Sequence, residues 1–276
     1  MGTKVKDRWI DAGAYALLIL GALVMAGPFV WMISTSLKEP ADQFTRNLIP
    51  IPVTLENYTG LWDALPFTQL IWNSFKIASI ATLGQLLTCS MAGFAFAAVQ
   101  FRGRNVLFVM LLVTLMIPFQ VTLIPNFIVY RWLGLYGTQI PLYLPAFLGG
   151  AFGTFLLRQY FLTIPHELSE AARMDGASLW TIYWRIYLPL ARPALGALAI
   201  FTFLFSWNDL FGPLIYLPSD LEKTTLPVGL ALFQAQYSGR WTIMMAGVLV
   251  SIAPIVTVFF FAQKQFIEGI ALSGGK

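Results

Sequence analysis

Residues 105–157 read NVLFVMLLVTLMIPFQVTLIPNFIVYRWLGLYGTQIPLYLPAFLGGAFGTFLL and contain a single charged residue, Arg131. As one helix, this stretch would be about 80 Å long, which far exceeds the roughly 30 Å hydrocarbon core of a bilayer. Gly134, Gly137 and Pro141 supply turn-forming residues shortly after Arg131. The stretch therefore predicts two membrane spans joined by a short turn.

The composition of the whole chain agrees with a membrane protein. Of the 276 residues, 58% are hydrophobic and only 11% are Asp, Glu, Lys or Arg, whereas soluble domains carry roughly 25% charged residues. So little charge cannot cover a soluble core of this length. The formal net charge of +4 is too small and too scattered to indicate nucleic-acid binding.

Apolar stretches elsewhere bring the predicted number of spans to six. The fifth span contains one charge, Asp209, and we include it because residues 194–207 are almost wholly apolar. We expect an all-α integral membrane protein that forms a single transmembrane domain over residues 1–276. The predicted spans cover residues 12–36, 72–101, 105–130, 140–160, 193–217 and 241–263.

An even number of spans places both termini on the same side of the membrane. Cytoplasmic loops carry an excess of Lys and Arg, and the segments on the side of the N-terminus hold eleven of the 17 Lys and Arg residues. We therefore expect both termini inside. The first span is too long for the apolar region of a signal peptide and lacks an Ala-x-Ala site, so we expect a retained anchor.

Residue types disfavour several kinds of site. The single cysteine, Cys89, excludes a disulfide within the chain, and the single histidine, His166, argues against a His-rich metal site. No Gly-x-x-x-x-Gly-Lys-Ser/Thr run is present, so the chain has no Walker A phosphate-binding loop. We expect no metal site and no catalytic residues in this chain.

The inside loop at residues 161–192 is too long for a simple connection between neighbouring helices. Pro165 suits a first helical turn, and Gly176 can end that helix in a left-handed conformation. Ser178 can cap a second helix. This helix–Gly–helix pattern is typical of an element that inserts into a cleft on another protein, but also of an amphipathic hairpin lying on the membrane surface.

A specific sequence pattern lies in the same loop. It reads Glu170-Ala171-Ala172, three residues, Gly176, nine residues, and Ile186-x-Leu188-Pro189. This pattern resembles the EAA loop of binding-protein-dependent ABC importer permeases, and it stands between the fourth and fifth predicted spans, where that family has it. The pattern is long, and therefore specific.

The resemblance covers nearly the whole chain, and it is to the second permease subunit of the carbohydrate-uptake class, the maltose and glycerol-phosphate importer type. Each of the other matching motifs is short, but they occur in the family's order. They are Ser34-Thr35-Ser36-Leu37-Lys38, Thr54-Leu55-Glu56-Asn57-Tyr58, Asn73-Ser74, Phe101-Arg102-Gly103, Trp207-Asn208-Asp209, Thr225-Leu226-Pro227-Val228-Gly229-Leu230, Met245-Ala246-Gly247, and the tail from Gln265 to Lys276.

The resemblance implies a permease subunit of an ATP-driven importer for a sugar or oligosaccharide. The loop at residues 161–192 would be the coupling element that docks on a separate ATPase subunit, and that subunit would bind ATP and Mg²⁺. No cofactor would be bound by this chain. The residues that the resemblance assigns to this coupling loop are Glu170, Ala171, Ala172, Asp175, Gly176, Ile186, Leu188 and Pro189.

The same resemblance implies the partners and the location. The partners would be a second, related permease subunit, two ATP-binding subunits, an extracytoplasmic solute-binding protein and membrane lipid. Residues 218–240 would reach the solute-binding protein. For residues 37–76, Trp62 and Tyr58 favour packing along the membrane surface over contact with that protein. The location would be the plasma (inner) membrane of a bacterium or archaeon, as a multi-pass protein.

Polar residues within the spans are candidates for a translocation path. Trp207 can stack on a sugar ring, and Asn208 and Asp209 can pair with hydroxyl groups; Asp209 is the only acidic residue in a predicted span. Alternatively, Asn208 and Asp209 bond to a neighbouring helix or to interrupted backbone near Gly212. Further polar candidates are Gln85, Thr88, Ser90, Gln120, Thr122 and Asn126.

Other functions remain open from the sequence. A glycerol-phosphate importer would need basic residues along its path, and only Lys76 and Arg131 stand near the spans; a polyol importer is a further alternative. A secondary transporter would need acidic residues for ion coupling and internal repeats. An integral-membrane enzyme would need clustered His, Asp or Cys. Asp209 alone gives little support to either of these last two.

Overall fold

The computed structural model describes residues 2–218, 220–237 and 239–274, with side chains for Asp11 and for the described residues from Gly13 to Phe260. The tail motif from Gln265 to Lys276 and several predicted inside basic residues, Lys4, Lys6, Arg8 and Lys264, therefore lie outside the described side chains. Every regular element in the described residues is helical, which confirms the all-α prediction.

The chain contains fourteen α-helical segments in its described residues, interrupted by short tighter turns and one π-helical turn at Tyr183–Tyr187. They are α1 (Gly2–Ser36), α2 (Glu56–Ala64), α3 (Phe67–Ala98), α4 (Arg104–Val113), α5 (Phe119–Trp132), α6 (Ile140–Tyr143), α7 (Ala151–Phe161), α8 (His166–Met174), α9 (Leu179–Ile182), α10 (Leu188–Leu190), α11 (Arg192–Trp207), α12 (Phe211–Tyr216), α13 (Leu226–Gln236) and α14 (Trp241–Gly274).

Four helical stretches in the described residues are long and apolar enough to cross a bilayer, and two further bent pairs bring the number to as many as six. The four stretches match the first, second, fourth and sixth predicted spans. They are Gly13–Ser36, Phe67–Ala98, Ile140–Phe161 and Trp241–Phe260.

The third predicted span, residues 105–130, is not one straight helix. Arg104–Met116 and Phe119–Trp132 meet at an angle of 98°. Pro118 lies at the break with extended backbone, at φ −61° and ψ 138°, and Ile117 before it is extended as well. A proline restricts the residue before it to this region, which ends the first helix and lets a second one start in a new direction.

The fifth predicted span, residues 193–217, is also interrupted. Helix α11 ends at Trp207, and the short helix α12 begins at Phe211. At its other end, α11 is bent by 77° from Leu179–Leu190. This bend lies between Pro189 and Pro193.

The chain divides into two compact units, Met1–Leu65 with Leu230–Ala253, and Pro66–Gly229 with Pro254–Lys276. In the first unit, the buried side chain of Asn57 joins α2 to the end of α1. Its Nδ2 atom donates to the carbonyls of Ser36, at 2.9 Å, and Lys38, at 2.7 Å. The buried ammonium of Lys38 in turn donates to the carbonyl of Thr45 at 2.8 Å. These bonds give structural roles to two of the short family-like motifs.

In the second unit, α3 packs closely against α7 and α11 because small residues face their neighbours. A Cβ atom on Gly153 would lie 2.8 Å from the Sγ atom of Cys89 and 3.0 Å from Leu198. A Cβ atom on Gly93 would lie 3.1 Å from Leu157. Both glycines therefore allow the close approach of the helices on which they lie.

We predict that Gly153→Leu destabilises the protein by about 1–3 kcal/mol, since the added side chain must displace packed neighbours. Thermal unfolding of the detergent-purified chain measures this effect. Gly21→Leu is the matched control, because a Cβ atom there meets no other atom within 4 Å. Equal unfolding temperatures for the two variants would contradict the packing at Gly153.

Candidate functional site

The loop at residues 161–192 turns at Gly176, which has the left-handed φ of +80° that the sequence predicted. The N–H of Ala177 donates to the carbonyl of Ala172 at 2.9 Å, and the N–H of Gly176 donates to the carbonyl of Arg173 at 3.0 Å. This pair of bonds is a Schellman motif, which satisfies the free carbonyls at the end of α8. A side chain at Gly176 has open space but an unfavourable backbone conformation.

The second half of the loop begins at the predicted cap. The Oγ atom of Ser178 accepts from the N–H of Thr181 at 3.1 Å and lies 2.9 Å from the hydroxyl of Thr181. Helix α9 follows and then passes into the π-helical turn at Tyr183–Tyr187. Both ends of the turn around Gly176 are thus closed by local hydrogen bonds.

The tip of the loop presents its side chains outward. Glu170, Ala171, Asp175 and Gly176 are exposed, and Ala172 is half-buried. Met174 is 88% exposed. The tip therefore combines acidic groups, small residues that let another backbone approach, and one apolar side chain.

Two buried tyrosines anchor the loop to α3. The hydroxyl of Tyr183 lies 2.7 Å from the Oγ atom of Ser90. The ring of Phe94 lies 5.3 Å from that of Tyr183 and 4.9 Å from that of Tyr187. On the other side, the hydroxyl of Tyr187 lies 3.0 Å from the Oγ atom of Ser169 in α8. The loop is therefore joined by buried polar and aromatic contacts to α3, a helix long and apolar enough to cross a bilayer.

The predicted anchoring residues of the loop divide between core and surface. Ile186 and Leu188 are half-buried and pack against the same core, whereas Pro189 is exposed. Sequence reasoning did not single out Tyr183 and Tyr187 as anchors. Their spacing of four residues is the signal that puts them on one helix face.

A cavity of about 710 Å³ lies within the second unit. Its wall is mostly apolar and rich in aromatic rings, and the polar side chains in it include Gln85, Asn126, Thr202, Ser206 and Asp209. No Lys, Arg or His is among the described residues that line it. The cavity thus combines aromatic faces with hydrogen-bonding groups and one carboxylate.

Asp209 lies in the break between α11 and α12. Its Oδ1 atom accepts from the N–H of Gly212 at 3.1 Å. A Cβ atom on Gly212 would collide with the carboxylate of Asp209 and would lie 3.1 Å from Leu142. Asp209 is therefore bonded to interrupted backbone near Gly212, as the alternative interpretation described, and it also borders the cavity.

The other path candidates are not all at the cavity. Asn126 lines it together with Asp209, whereas Trp207, Asn208 and Gln120 do not. Trp207 is 2% exposed and stacks on Phe203 at a ring distance of 5.7 Å. The Nδ2 atom of Asn208 donates to the carbonyl of Leu204 in its own helix at 2.8 Å.

The chain is similar to known transport proteins over nearly its whole length. A family model described as "Binding-protein-dependent transport system inner membrane component" matches residues 89–271. The arabinooligosaccharides transport system permease protein AraQ of Halalkalibacterium halodurans is 36% identical over 274 residues, covering 97% of this chain and 96% of that protein. The sn-glycerol-3-phosphate transport system permease protein UgpE of Yersinia enterocolitica is 32% identical, covering 95% of this chain and 96% of that protein.

A solved structure has the same fold. It belongs to a bacterial ABC transporter involved in the import of the acidic polysaccharide alginate. The matching chain has a TM-score of 0.81 and 26% sequence identity, and the match covers 94% of this chain and 97% of that one.

We predict that Tyr187→Phe loosens α8 from the core, because the buried Oγ atom of Ser169 loses its partner. An unsatisfied buried polar group costs about 1–3 kcal/mol. Hydrogen exchange of the amides in α8 should therefore become faster. Tyr160→Phe is the control: it also removes a tyrosine hydroxyl bond, at 3.2 Å to the carbonyl of Leu190, but that bond is exposed to solvent. Unchanged exchange in Tyr187→Phe would contradict the anchoring role.

Proposed function

Because the chain belongs to the family of binding-protein-dependent transport system inner membrane components, we propose that it couples ATP hydrolysis on a separate subunit to the uptake of a sugar or oligosaccharide. It does so as a permease subunit of an ATP-driven importer. The observation that carries the coupling role is the loop at residues 161–192. Its exposed tip lies at the hydrogen-bonded turn at Gly176, and the loop packs against α3.

The tip is suited to a groove on an ATPase subunit. Ala171 and Gly176 let the partner's backbone approach closely, while Glu170 and Asp175 offer carboxylates for pairing with the partner. The exposed side chain of Met174 can be buried on docking, which is favourable for an apolar group. We infer that the tip is the contact surface and that Ile186 and Leu188 transmit force to the core.

The anchors of the loop provide a route for the movement. When ATP binding closes the ATPase subunits, the docked loop is displaced. Tyr183 and Tyr187 are bonded to or packed against Ser90 and Phe94, so α3 moves with the loop. Packed interiors shift as bodies rather than deform smoothly. Opening of the path to alternate sides of the membrane then follows from displacement of the helices around the cavity.

We infer the rest of the assembly from the family. A second, related permease completes the pathway, two ATP-binding subunits dock on the inner side, and a solute-binding protein delivers the substrate on the outer side. Residues 218–240 are the segment that would meet the solute-binding protein. The N-terminus and C-terminus would both face the cytoplasm.

The lining of the cavity favours a neutral saccharide over a phosphate ester. Aromatic faces suit sugar rings, and the side chains of Gln85, Asn126 and Asp209 suit hydroxyl groups. A phosphate would require a cationic partner, and none of the described lining residues is cationic. The carboxylate of Asp209 would also repel it. We therefore propose a neutral sugar or oligosaccharide, although a relative is named for glycerol phosphate.

Gly176→Ala tests the coupling role. A non-glycine residue in the left-handed conformation costs about 1–2 kcal/mol, which corresponds to a change of about 5- to 30-fold in an equilibrium constant. We predict a loss of up to this size in ATP-dependent sugar uptake by the reconstituted importer, with normal membrane insertion.

Gly103→Ala is the matched control for this strain. Gly103 has a φ of +84° and, like Gly176, no atom within 4 Å of a Cβ atom, but it lies before α4, outside the loop. We expect wild-type uptake in this variant. If both variants transport normally, or if both lose uptake equally, the loop has no special part in coupling.

Asp209→Asn separates the charge of Asp209 from its bond to backbone. The asparagine keeps an oxygen that can accept from the N–H of Gly212, so we expect normal folding. Loss of the charge weakens hydrogen bonds to sugar hydroxyls, since bonds to charged groups contribute about 1.5–3 kcal/mol. A neutral hydrogen bond contributes about 1 kcal/mol less than a bond to a charged group, so we predict a roughly fivefold fall in uptake. If Asp209→Asn takes up sugar at the wild-type rate, the role of Asp209 is limited to its hydrogen bond with the N–H of Gly212.

A further inference from the structure

Three successive backbone carbonyls accept hydrogen bonds from side-chain amides elsewhere in the second unit. The Nδ2 atom of Asn73 donates to the carbonyl of Glu222 at 2.8 Å and to that of Thr224 at 2.9 Å. The Nε2 atom of Gln139 donates to the carbonyl of Lys223, between them, at 2.8 Å. Asn73 is 1% exposed, so its bonds are shielded from water.

The next residues are fixed to α3 as well. The Oγ atom of Ser74 accepts from the N–H of Leu226 at 2.8 Å, and Ser74 is buried. Gly229 packs so closely on Leu70 that a Cβ atom would overlap it. The segment Glu222–Leu226 is therefore held by side chains on its backbone polar groups, although it is not part of a regular element until α13 begins.

The side chains of Glu222 and Lys223 are exposed and can meet another molecule, whereas those of Thr224, Thr225 and Leu226 are buried. The Oδ1 atom of Asp220 accepts from the N–H of Glu222 at 3.0 Å. Its Oδ2 atom lies 3.9 Å from the ammonium of Lys223, and these two side chains are 42% and 56% exposed. Glu222 is exposed too. The result is a charged tip, formed by Asp220, Glu222 and Lys223, on a fixed backbone.

We propose that Asn73, Ser74 and Gln139 form a clamp that holds this charged tip preformed for docking of the solute-binding protein. The inference rests on the proposed function, which places residues 218–240 on the outer side. A tip held in advance avoids the entropy cost of ordering a loop when the partner binds. The clamp residues are positioning residues, because they act on the backbone of the tip and do not touch the partner.

The experiment uses the complete reconstituted importer with its solute-binding protein. ATPase activity is measured against the concentration of the binding protein. Asn73→Ala removes two of the three amide donors, so we expect the half-saturating concentration to rise roughly tenfold. The rate at saturating binding protein and the rate without it should keep their wild-type values, since the clamp does not take part in hydrolysis.

Gln139→Ala is a second variant, which tests the clamp if the importer with Asn73→Ala fails to assemble. It removes one donor at the margin of the clamp, and we expect a smaller rise in the same direction. Thr82→Val is the control: it removes a hydroxyl from α3 that donates to Ala78 of the same helix at 2.7 Å, and it should leave the half-saturating concentration unchanged.

The outcomes separate the clamp from the proposed function. The clamp would be overturned if the clamp variants kept the wild-type half-saturating concentration. It would also be overturned if ATPase activity fell both at saturating binding protein and without it while the half-saturating concentration stayed the same. Failure of the wild-type assembly to take up solute with ATP and binding protein would overturn the proposed function itself. A rise that is confined to Asn73→Ala and Gln139→Ala would support the clamp.

Discussion

The contact of Phe94 with Tyr183 and Tyr187 is the constraint on which the proposed coupling mechanism depends. It joins the loop at residues 161–192 to α3, a helix that runs unbroken from Phe67 to Ala98. The same helix carries Asn73 and Ser74 near its start. A single helix thus connects the segment that would face the solute-binding protein with the loop that would face the ATPase, and under the proposed mechanism it would carry displacement from one end to the other.

Much of this arrangement could be predicted from sequence because it depends on local chemistry. The left-handed turn at Gly176 and the cap at Ser178 follow from the residue types that these positions require. Four of the spans follow from apolar length alone.

Other features depend on which distant residues meet, and a single sequence does not contain that information. The 98° break at Pro118 has the same local signal as a mild kink, and only packing decides between them. Trp207 was a path candidate because of its type, but it is buried against Phe203. Asn73 was noticed only as part of a motif, because its partners lie far along the chain.

Cross-linking from the tip of the loop measures the central claim most directly. Met174 is 88% exposed at the end of α8, and the chain's own cysteine, Cys89, is buried, so Met174→Cys places one reactive thiol at the tip. With a short thiol-to-amine cross-linker in native membranes, the coupling mechanism predicts an adduct to an ATP-binding subunit. The mechanism would be contradicted if no adduct to an ATP-binding subunit formed and a membrane-impermeant thiol reagent, added from the outer side, labelled this cysteine.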